Sequence, residues 1–162
     1  MDPEIRVGWK ERVQFPRWGM TLKALLDPSA PLSTLAVEHV EALDRMRDEE
    51  GRRRLVLRLA VPMARGKSRV KRVHAFYHRR TKLSEVPGRQ YVVKIPLRLG
   101  DSIFEAEVAL LPAERRQHFL HLGREALAGR FLVDASASYL CRLPALAPVL
   151  DQHPLLPLDE SE

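Results

Sequence analysis

Short runs of alternating apolar and polar residues, separated by turn residues, fill most of this chain. In the clearest run, residues 54–61, every second side chain is apolar and would lie on one face of a strand: Leu55, Leu57, Leu59 and Val61. Comparable runs bounded by glycine, proline or polar turns predict further strands, at residues 5–7, 12–15, 21–26, 73–77, 91–99, 103–111, 119–122, 131–133 and 139–141. Many short strands with little helix predict an all-β barrel or sandwich.

Two stretches carry a helical signal. Apolar residues within 34–47 fall at helical spacing, so a helix there competes with an extended segment over 33–40. A second stretch, 124–128, lies between Gly123 and Gly129 and predicts one or two helical turns.

Composition narrows the class of protein. A chain of 162 residues with 45% hydrophobic residues suits one globular domain with its own core. Its one cysteine, Cys141, excludes an internal disulfide and a cysteine-based zinc site. No apolar stretch approaches the ~20 residues of a membrane span, and the N-terminus has no apolar secretory core. We therefore expect a soluble cytoplasmic protein with no membrane partner.

Charge is distributed unevenly along the chain. The formal net charge of +6 conceals a central block, residues 51–98, with 15 basic residues and one acidic residue. Such a block is either a solvated face or a surface for a polyanion, such as nucleic acid or an acidic peptide or protein. Its densest part supplies the candidate basic binding surface, which comprises Arg65, Lys67, Arg69, Lys71, Arg72, Arg79 and Arg80.

The end of the chain differs in composition from the rest. Residues 143–162 contain four prolines and four acidic residues but no lysine or arginine. Polar, proline-rich chain ends rarely join a packed core. We expect residues 1–142 to form the domain and residues 143–162 to be a proline-rich acidic tail.

Two turns carry candidate chemistry. Asp27 directly follows the apolar strand 21–26, and Gly123-Arg124 follows the apolar strand 119–122 and begins the short helix. This pair of elements resembles the framework of retroviral-type aspartic proteases, in which each subunit of a homodimer supplies one Asp-Thr/Ser-Gly-Ala loop. Two such carboxylates share a proton, and together they activate water against the scissile carbonyl.

Longer segments strengthen this resemblance. They occur in order along residues 5–142, as Val7–Glu11, Leu22–Asp27, Ile95–Gly100, Leu122–Leu127, Gly129–Asp134 and Ser138–Leu140. Together they resemble a bacterial family whose members are called ATP-dependent zinc proteases but are retropepsin-like. The resemblance implies a retropepsin-like β-barrel and a homodimer with one catalytic loop per chain. It also implies structural roles for Gly123 and Arg124, and a basic insert or flap over about 64–90.

The catalytic loop departs from the family pattern. Family members resemble Asp-Thr-Gly-Ala at a position where this chain has Asp27, Pro28, Ser29 and Ala30. Pro28 supplies neither the hydroxyl group nor the backbone N–H of threonine. Ser29 places a side chain where glycine allows the backbone to approach closely. We therefore expect ordinary peptidase activity to be lost, with Asp27 capping its own turn; a catalytic Asp27 is the alternative.

Neither a metal nor another cofactor is expected. His74 and His78 are four residues apart, but in a strand this spacing separates them by roughly 13 Å, and no third ligand is indicated nearby. The segment Gly66-Lys67-Ser68 resembles the end of a phosphate-binding loop. It lacks the upstream glycine of that motif, because residue 61 is valine.

Three functions remain open at this stage. The first is a homodimer that has lost catalysis and binds or regulates through a peptide or protein partner. The second is an active, divergent aspartic endopeptidase that uses Asp27 from each subunit. The third is a nucleic-acid- or ribosome-associated protein that uses the basic block. The resemblance supports this third link, since relatives accompany glutamate ligases that modify a ribosomal protein.

Overall fold

The structure is a computed structural model that describes residues 4–63, 69–84, 86–113 and 119–145. These residues form eleven strands and one helix, which are β1 (Ile5–Gly8), β2 (Lys10–Phe15), β3 (Met20–Leu26), β4 (Ser33–Val37), β5 (His39–Arg47), β6 (Arg53–Pro62), β7 (Val70–Lys82), β8 (Arg89–Leu99), β9 (Ser102–Pro112), β10 (Leu120–Leu122), α1 (Arg124–Leu127) and β11 (Phe131–Asp134). With four residues, α1 is the one helix in the described ranges, and none there has the length and apolarity to cross a membrane.

A closed barrel is the centre of the fold. Nine strands pair in the order β2-β3-β10-β4-β9-β8-β7-β6-β5, and an additional pairing of Gln14 with Arg98 joins β2 to β8. This pairing closes the first six strands into a barrel, while β7, β6 and β5 continue the sheet beyond it. The prediction of an all-β barrel with one short helix is confirmed.

The alternating pattern fills the interior of this barrel and the sheet beside it. Leu57, Leu59 and Val61 of β6 are fully buried, as their period of two predicts. They belong to one continuous apolar cluster that also contains residues from nearly every barrel strand. A single cluster of this kind is the core expected for one domain.

The alternative prediction of a helix over 34–47 is wrong. Two strands lie there, with β4 parallel to β9 and β5 antiparallel to β6. All five residues of β4 are buried between β10 and β9. A strand buried on both faces carries apolar residues without strict alternation, so its spacing imitates a helix.

The strand predicted at 139–141 is also wrong, although β11 forms where a strand was predicted at 131–133. A buried carboxylate holds the 139–141 segment instead. Glu11 is 1% exposed, and its two oxygens accept the backbone N–H groups of Gly8 (2.7 Å), Leu140 (2.8 Å) and Cys141 (3.2 Å). The Glu11 side chain therefore replaces the strand partner that these N–H groups would otherwise need.

The region 64–90, predicted as an insert or flap, is largely sheet. β7 and β8 form a long antiparallel hairpin whose connection spans 83–88. Residues 64–68 and Glu85 lie outside the described residues, as does the tail from 146 onward. In the described first residues of the predicted tail 143–162, the carbonyl of Pro144 accepts a hydrogen bond from the side-chain amide of Gln14 at 2.5 Å.

We predict that Glu11→Ala lowers the free energy of unfolding by about 3 kcal/mol or more, because it leaves three backbone donors without an acceptor. Urea denaturation measures the loss. Glu11→Gln keeps one acceptor oxygen and should lose less. Glu105→Ala removes an exposed strand glutamate and serves as the matched control. A Glu11→Ala protein as stable as the control would contradict the role of this carboxylate.

Candidate functional site

The candidate site lies where two neighbouring parallel strands end. β3 and β10 pair in parallel, with Leu26 opposite Leu122. The N–H of the next residue, Asp27, donates to the carbonyl of Leu122 at 2.8 Å. The predicted Asp27 turn and the predicted Gly123-Arg124 turn therefore leave the sheet side by side.

Gly123 lies directly against the Asp27 loop. A Cβ on this residue would lie 2.6 Å from the carbonyl carbon of Leu32 and 2.8 Å from the carbonyl oxygen of Ala30. Its N–H donates to the buried hydroxyl of Ser33 at 3.0 Å. A side chain at position 123 would force the backbone of the loop to move.

Arg124 holds the same loop from its exposed side. Its backbone N–H donates to the carbonyl of Ala30 at 2.6 Å. Its guanidinium donates to the carbonyl of Pro28 at 3.2 Å. In this chain, both contacts are with loop backbone.

The carboxylate of Asp27 is engaged within its own turn. Its Oδ1 accepts hydrogen bonds from the hydroxyl of Ser29 at 2.5 Å and from the backbone N–H of Ser29 at 3.0 Å. The Ser29 hydroxyl is the main cause that lowers the pKa of Asp27, and the charge of His121 adds to it, while partial burial opposes both. The carboxyl is therefore ionised at neutral pH.

The same turn occurs a second time in the chain. At the end of β11, Asp134 Oδ1 accepts the hydroxyl of Ser136 at 2.6 Å and its N–H at 2.9 Å. These bonds, with that from Arg6, lower the pKa of Asp134 to about 2. Asp-x-Ser is thus a turn that this chain uses for structure.

The end of the β7–β8 hairpin lies next to the Asp27 loop. Leu83, directly after β7, packs against a small apolar cluster of Leu32, Val92 and Ala109. Leu32 belongs to the Asp27 loop, so this cluster connects the hairpin to the candidate site. Three exposed cations lie near that end of the hairpin, namely Arg80, Lys82 and Arg89.

The structure divides the predicted basic surface between two places. Arg69, Lys71 and Arg72 lie at the start of β7, whereas Arg79 and Arg80 lie near its end, at least seven residues and roughly 24 Å away. Arg65 and Lys67 lie outside the described residues.

Several of these cations also have partners. The guanidinium of Arg79 pairs with Glu107 at 2.8 Å, and Lys71 donates to the carbonyl of Gly19 at 3.2 Å. Arg80 lies 4.6 Å from the centroid of the Tyr91 ring, which restrains it without neutralising its charge. The seven residues do not form one surface.

Comparison with known proteins identifies the family. The family model for the RimB-like proteins, described as retropepsin-like aspartic endopeptidase RimB, matches residues 6–143. The chain belongs to this RimB-like family. The retropepsin-like resemblance seen in the sequence is therefore confirmed.

Among solved structures, the RimB-like chain is similar to Lpg0085, a protein of unknown function (DUF785) from Legionella pneumophila subsp. pneumophila str. Philadelphia 1. The TM-score is 0.71 and the identity 24%, over 85% of this chain and 98% of that chain. At this identity the likeness shows the fold. A search of curated proteins found no match.

The comparisons do not show the name ATP-dependent zinc protease, which the sequence resemblance suggested, for this RimB-like chain. Within the described residues, no group of three or more His, Cys, Asp or Glu side chains could hold a metal ion. His78 is one of the two histidines whose spacing suggested a metal site. Its Nε2 lies 3.2 Å from Oε2 of Glu107.

Sequence reasoning found Asp27 and Gly123 but missed two features of the site. The first is the bond of Ser29 to Asp27, which the Asp-x-Ser spacing signals because this spacing favours a local side-chain turn. The second is the small cluster that brings Leu83 and Leu32 together, which has no local signal because 51 positions separate the two residues.

We predict that Ser29→Ala raises the pKa of Asp27 toward its ordinary 3.8, and that Ser136→Ala raises the pKa of Asp134 from about 2 in the same direction. A lowered folded pKa stabilises the fold above the unfolded value, and this contribution is lost as pH falls through the folded value. Each variant should therefore lose stability at neutral pH, and the difference from the wild type should shrink as pH falls through the folded pKa of its aspartate. Carboxyl NMR titration measures the shifts. Ser138→Ala, at an exposed serine, should move neither pKa.

Proposed function

We propose that this RimB-like chain is a homodimeric, catalytically impaired retropepsin-like protein that binds an acidic peptide or protein segment and acts as a binding or regulatory module. The observation that carries the proposal is the engagement of Asp27 Oδ1 by both polar groups of Ser29. The family fold supplies the framework.

The Asp27 turn works against a shared-proton pair. Such a pair needs two carboxylates about 3 Å apart, one of which is protonated because both cannot ionise together. Here Ser29 stabilises the ionised carboxylate and lowers its pKa. The Ser29 side chain also occupies space beside that carboxylate, at 2.5 Å from Oδ1. Both effects disfavour the approach of a second Asp27.

Pro28 also disfavours a shared-proton pair of Asp27 carboxylates. It follows Asp27 directly, is exposed, and has no N–H to donate across a dimer axis. Steric contact with the Cδ of Pro28 also disfavours helical backbone at the preceding aspartate and biases it toward extended conformations. The loop therefore keeps the aspartate of the family motif but lacks the donors that would position two of them together.

Binding of an acidic segment is supported by the hairpin beside the loop. Arg80, Lys82 and Arg89 are exposed at its end, and Lys82 pairs directly with Arg89 across the strands. Like charges placed opposite each other repel, so an anion between them relieves this repulsion. The cations lie on the same hairpin as Leu83, which packs against the cluster that includes Leu32 of the Asp27 loop.

The first test restores the family loop. Wild type and Asp27→Asn should show equally low cleavage of a peptide library between acidic and neutral pH. The double variant Pro28→Thr/Ser29→Gly should gain cleavage that Asp27→Asn abolishes in the same background. Cleavage by the wild type that depends on Asp27 would instead establish an active, divergent endopeptidase. Light scattering reports whether each variant is a dimer.

The second test concerns the partner. Replacing Arg80, Lys82 and Arg89 by glutamine should weaken binding of an oligoglutamate peptide roughly tenfold or more at low salt, with the difference shrinking as salt rises. The matched control replaces Arg69, Arg72 and Arg142 by glutamine and removes three exposed positive charges outside the hairpin end. Equal weakening by the control would show that binding reflects net charge and not the hairpin end.

A further inference from the structure

A second positive surface lies on the outer face of β2 and β3, outside the basic block. Arg12 and Lys23 are directly opposite each other in the antiparallel register, so their side chains share one face. Lys10 lies two residues before Arg12 on the same face, about 7 Å along the strand. Arg12 and Lys23 are exposed, and Lys10 is half-buried.

The charges of these three side chains are not neutralised by ion pairs with described carboxylates. Seven other arginines in the described ranges have a carboxylate within reach, as Arg6 does with Asp134 and Arg79 with Glu107. No described carboxylate lies within ion-pair distance of Lys10, Arg12 or Lys23; Glu11 is buried and bound to backbone N–H groups. An uncompensated cluster of like charges costs free energy unless an anion completes it.

Two aromatic rings hold two of the three cations, Lys10 and Arg12, in place. The guanidinium of Arg12 lies 4.6 Å from the centroid of Tyr139, and Lys10 Nζ lies 4.5 Å from the centroid of Trp9 and 6.0 Å from that of Tyr139. A ring restrains a cationic side chain and leaves its charge available, so less conformational entropy is lost on binding.

Tyr139 is held in this position at a cost. Its φ of 54° is the one left-handed value at a residue other than glycine in the described part of the chain. Such a conformation is strained for a residue with a side chain and persists only where neighbouring contacts impose it. Here the Tyr139 N–H donates to the carbonyl of Lys10 at 2.8 Å, and this bond places the ring beside Lys10 and Arg12.

We propose that this face binds single-stranded nucleic acid, with Lys10, Arg12 and Lys23 on the phosphates and Trp9 as a platform for a base. Cations interleaved with aromatic rings are the pattern of such surfaces. Trp9 remains 37% exposed, whereas Trp18 is 7% exposed and stacked on Phe15. An exposed ring beside the cations favours nucleic acid over an acidic peptide, because a peptide carboxylate makes no use of an aromatic platform.

This surface is distinct from the hairpin end proposed to bind acidic segments. The carbonyl of Trp9 accepts the N–H of Leu26 at 2.9 Å, and from there the surface extends along β2 and β3, whereas the hairpin end belongs to β7 and β8. The inference therefore does not depend on the state of the Asp27 loop or on the proposed peptide partner.

The experiment measures binding of a labelled oligouridylate of roughly 12 nucleotides, within the range of known site sizes, to the full-length protein across a salt series. Each phosphate contact on a single strand contributes about −0.7 to the slope of log K against log salt. Arg12→Gln/Lys23→Gln should reduce that slope by about 1.4 and weaken binding at low salt by roughly tenfold or more. Arg69→Gln/Arg72→Gln makes the same charge change on exposed β7 residues and should change little.

Trp9 provides the second readout. Base stacking should quench its fluorescence on addition of oligouridylate, and Trp9→Leu should weaken binding about fivefold or more. Trp18→Phe, at the buried tryptophan, should bind as the wild type does. Circular dichroism verifies that each variant is folded. Three outcomes would overturn the proposal: equal loss in the β7 control, a stronger effect of these variants on oligoglutamate than on oligouridylate, or saturable binding without any change at Trp9.

Discussion

The candidate site depends on the close approach of Gly123 to the loop that follows β3. With the Leu32 carbonyl carbon 2.6 Å from the position of a Cβ, the backbones of two loops touch where any other residue would separate them. This contact lets the short strand β10 lie between β3 and β4. The same arrangement brings the N–H of Asp27 to the carbonyl of Leu122 and closes that part of the barrel.

Local pattern predicted most of the strands, and its two failures have physical reasons. β4 imitates a helix because it is buried on both faces, so the alternation that signals a strand is missing. The segment at 139–141 has the composition of a strand, but its N–H groups bond to the side chain of Glu11, which is about 130 positions away. No window of neighbouring residues contains that information.

Local sequence pattern predicts part of the candidate site, as it predicts most of the strands. Asp27 and Gly123 are identified by their position after apolar strands, whereas the surroundings of each charge depend on strand register. Arg79 faces Glu107 only because the β7–β8 hairpin has an irregularity between Tyr77 and Arg79 and because β9 pairs with β8. The sequence shows a continuous block of positive charge, and the sheet separates it into neutralised and available parts.

Pairing with a carboxylate and stacking on a ring have opposite consequences for binding. A carboxylate such as Glu107 removes the charge of Arg79 from the surface field, whereas Tyr91 and Tyr139 leave the charges of Arg80 and Arg12 in place. The ring-held cations are already restrained, so an incoming anion meets both the full charge and a reduced entropic cost. The net charge of +6 is therefore a poor measure of where this protein attracts anions, because it counts neutralised and ring-held cations alike.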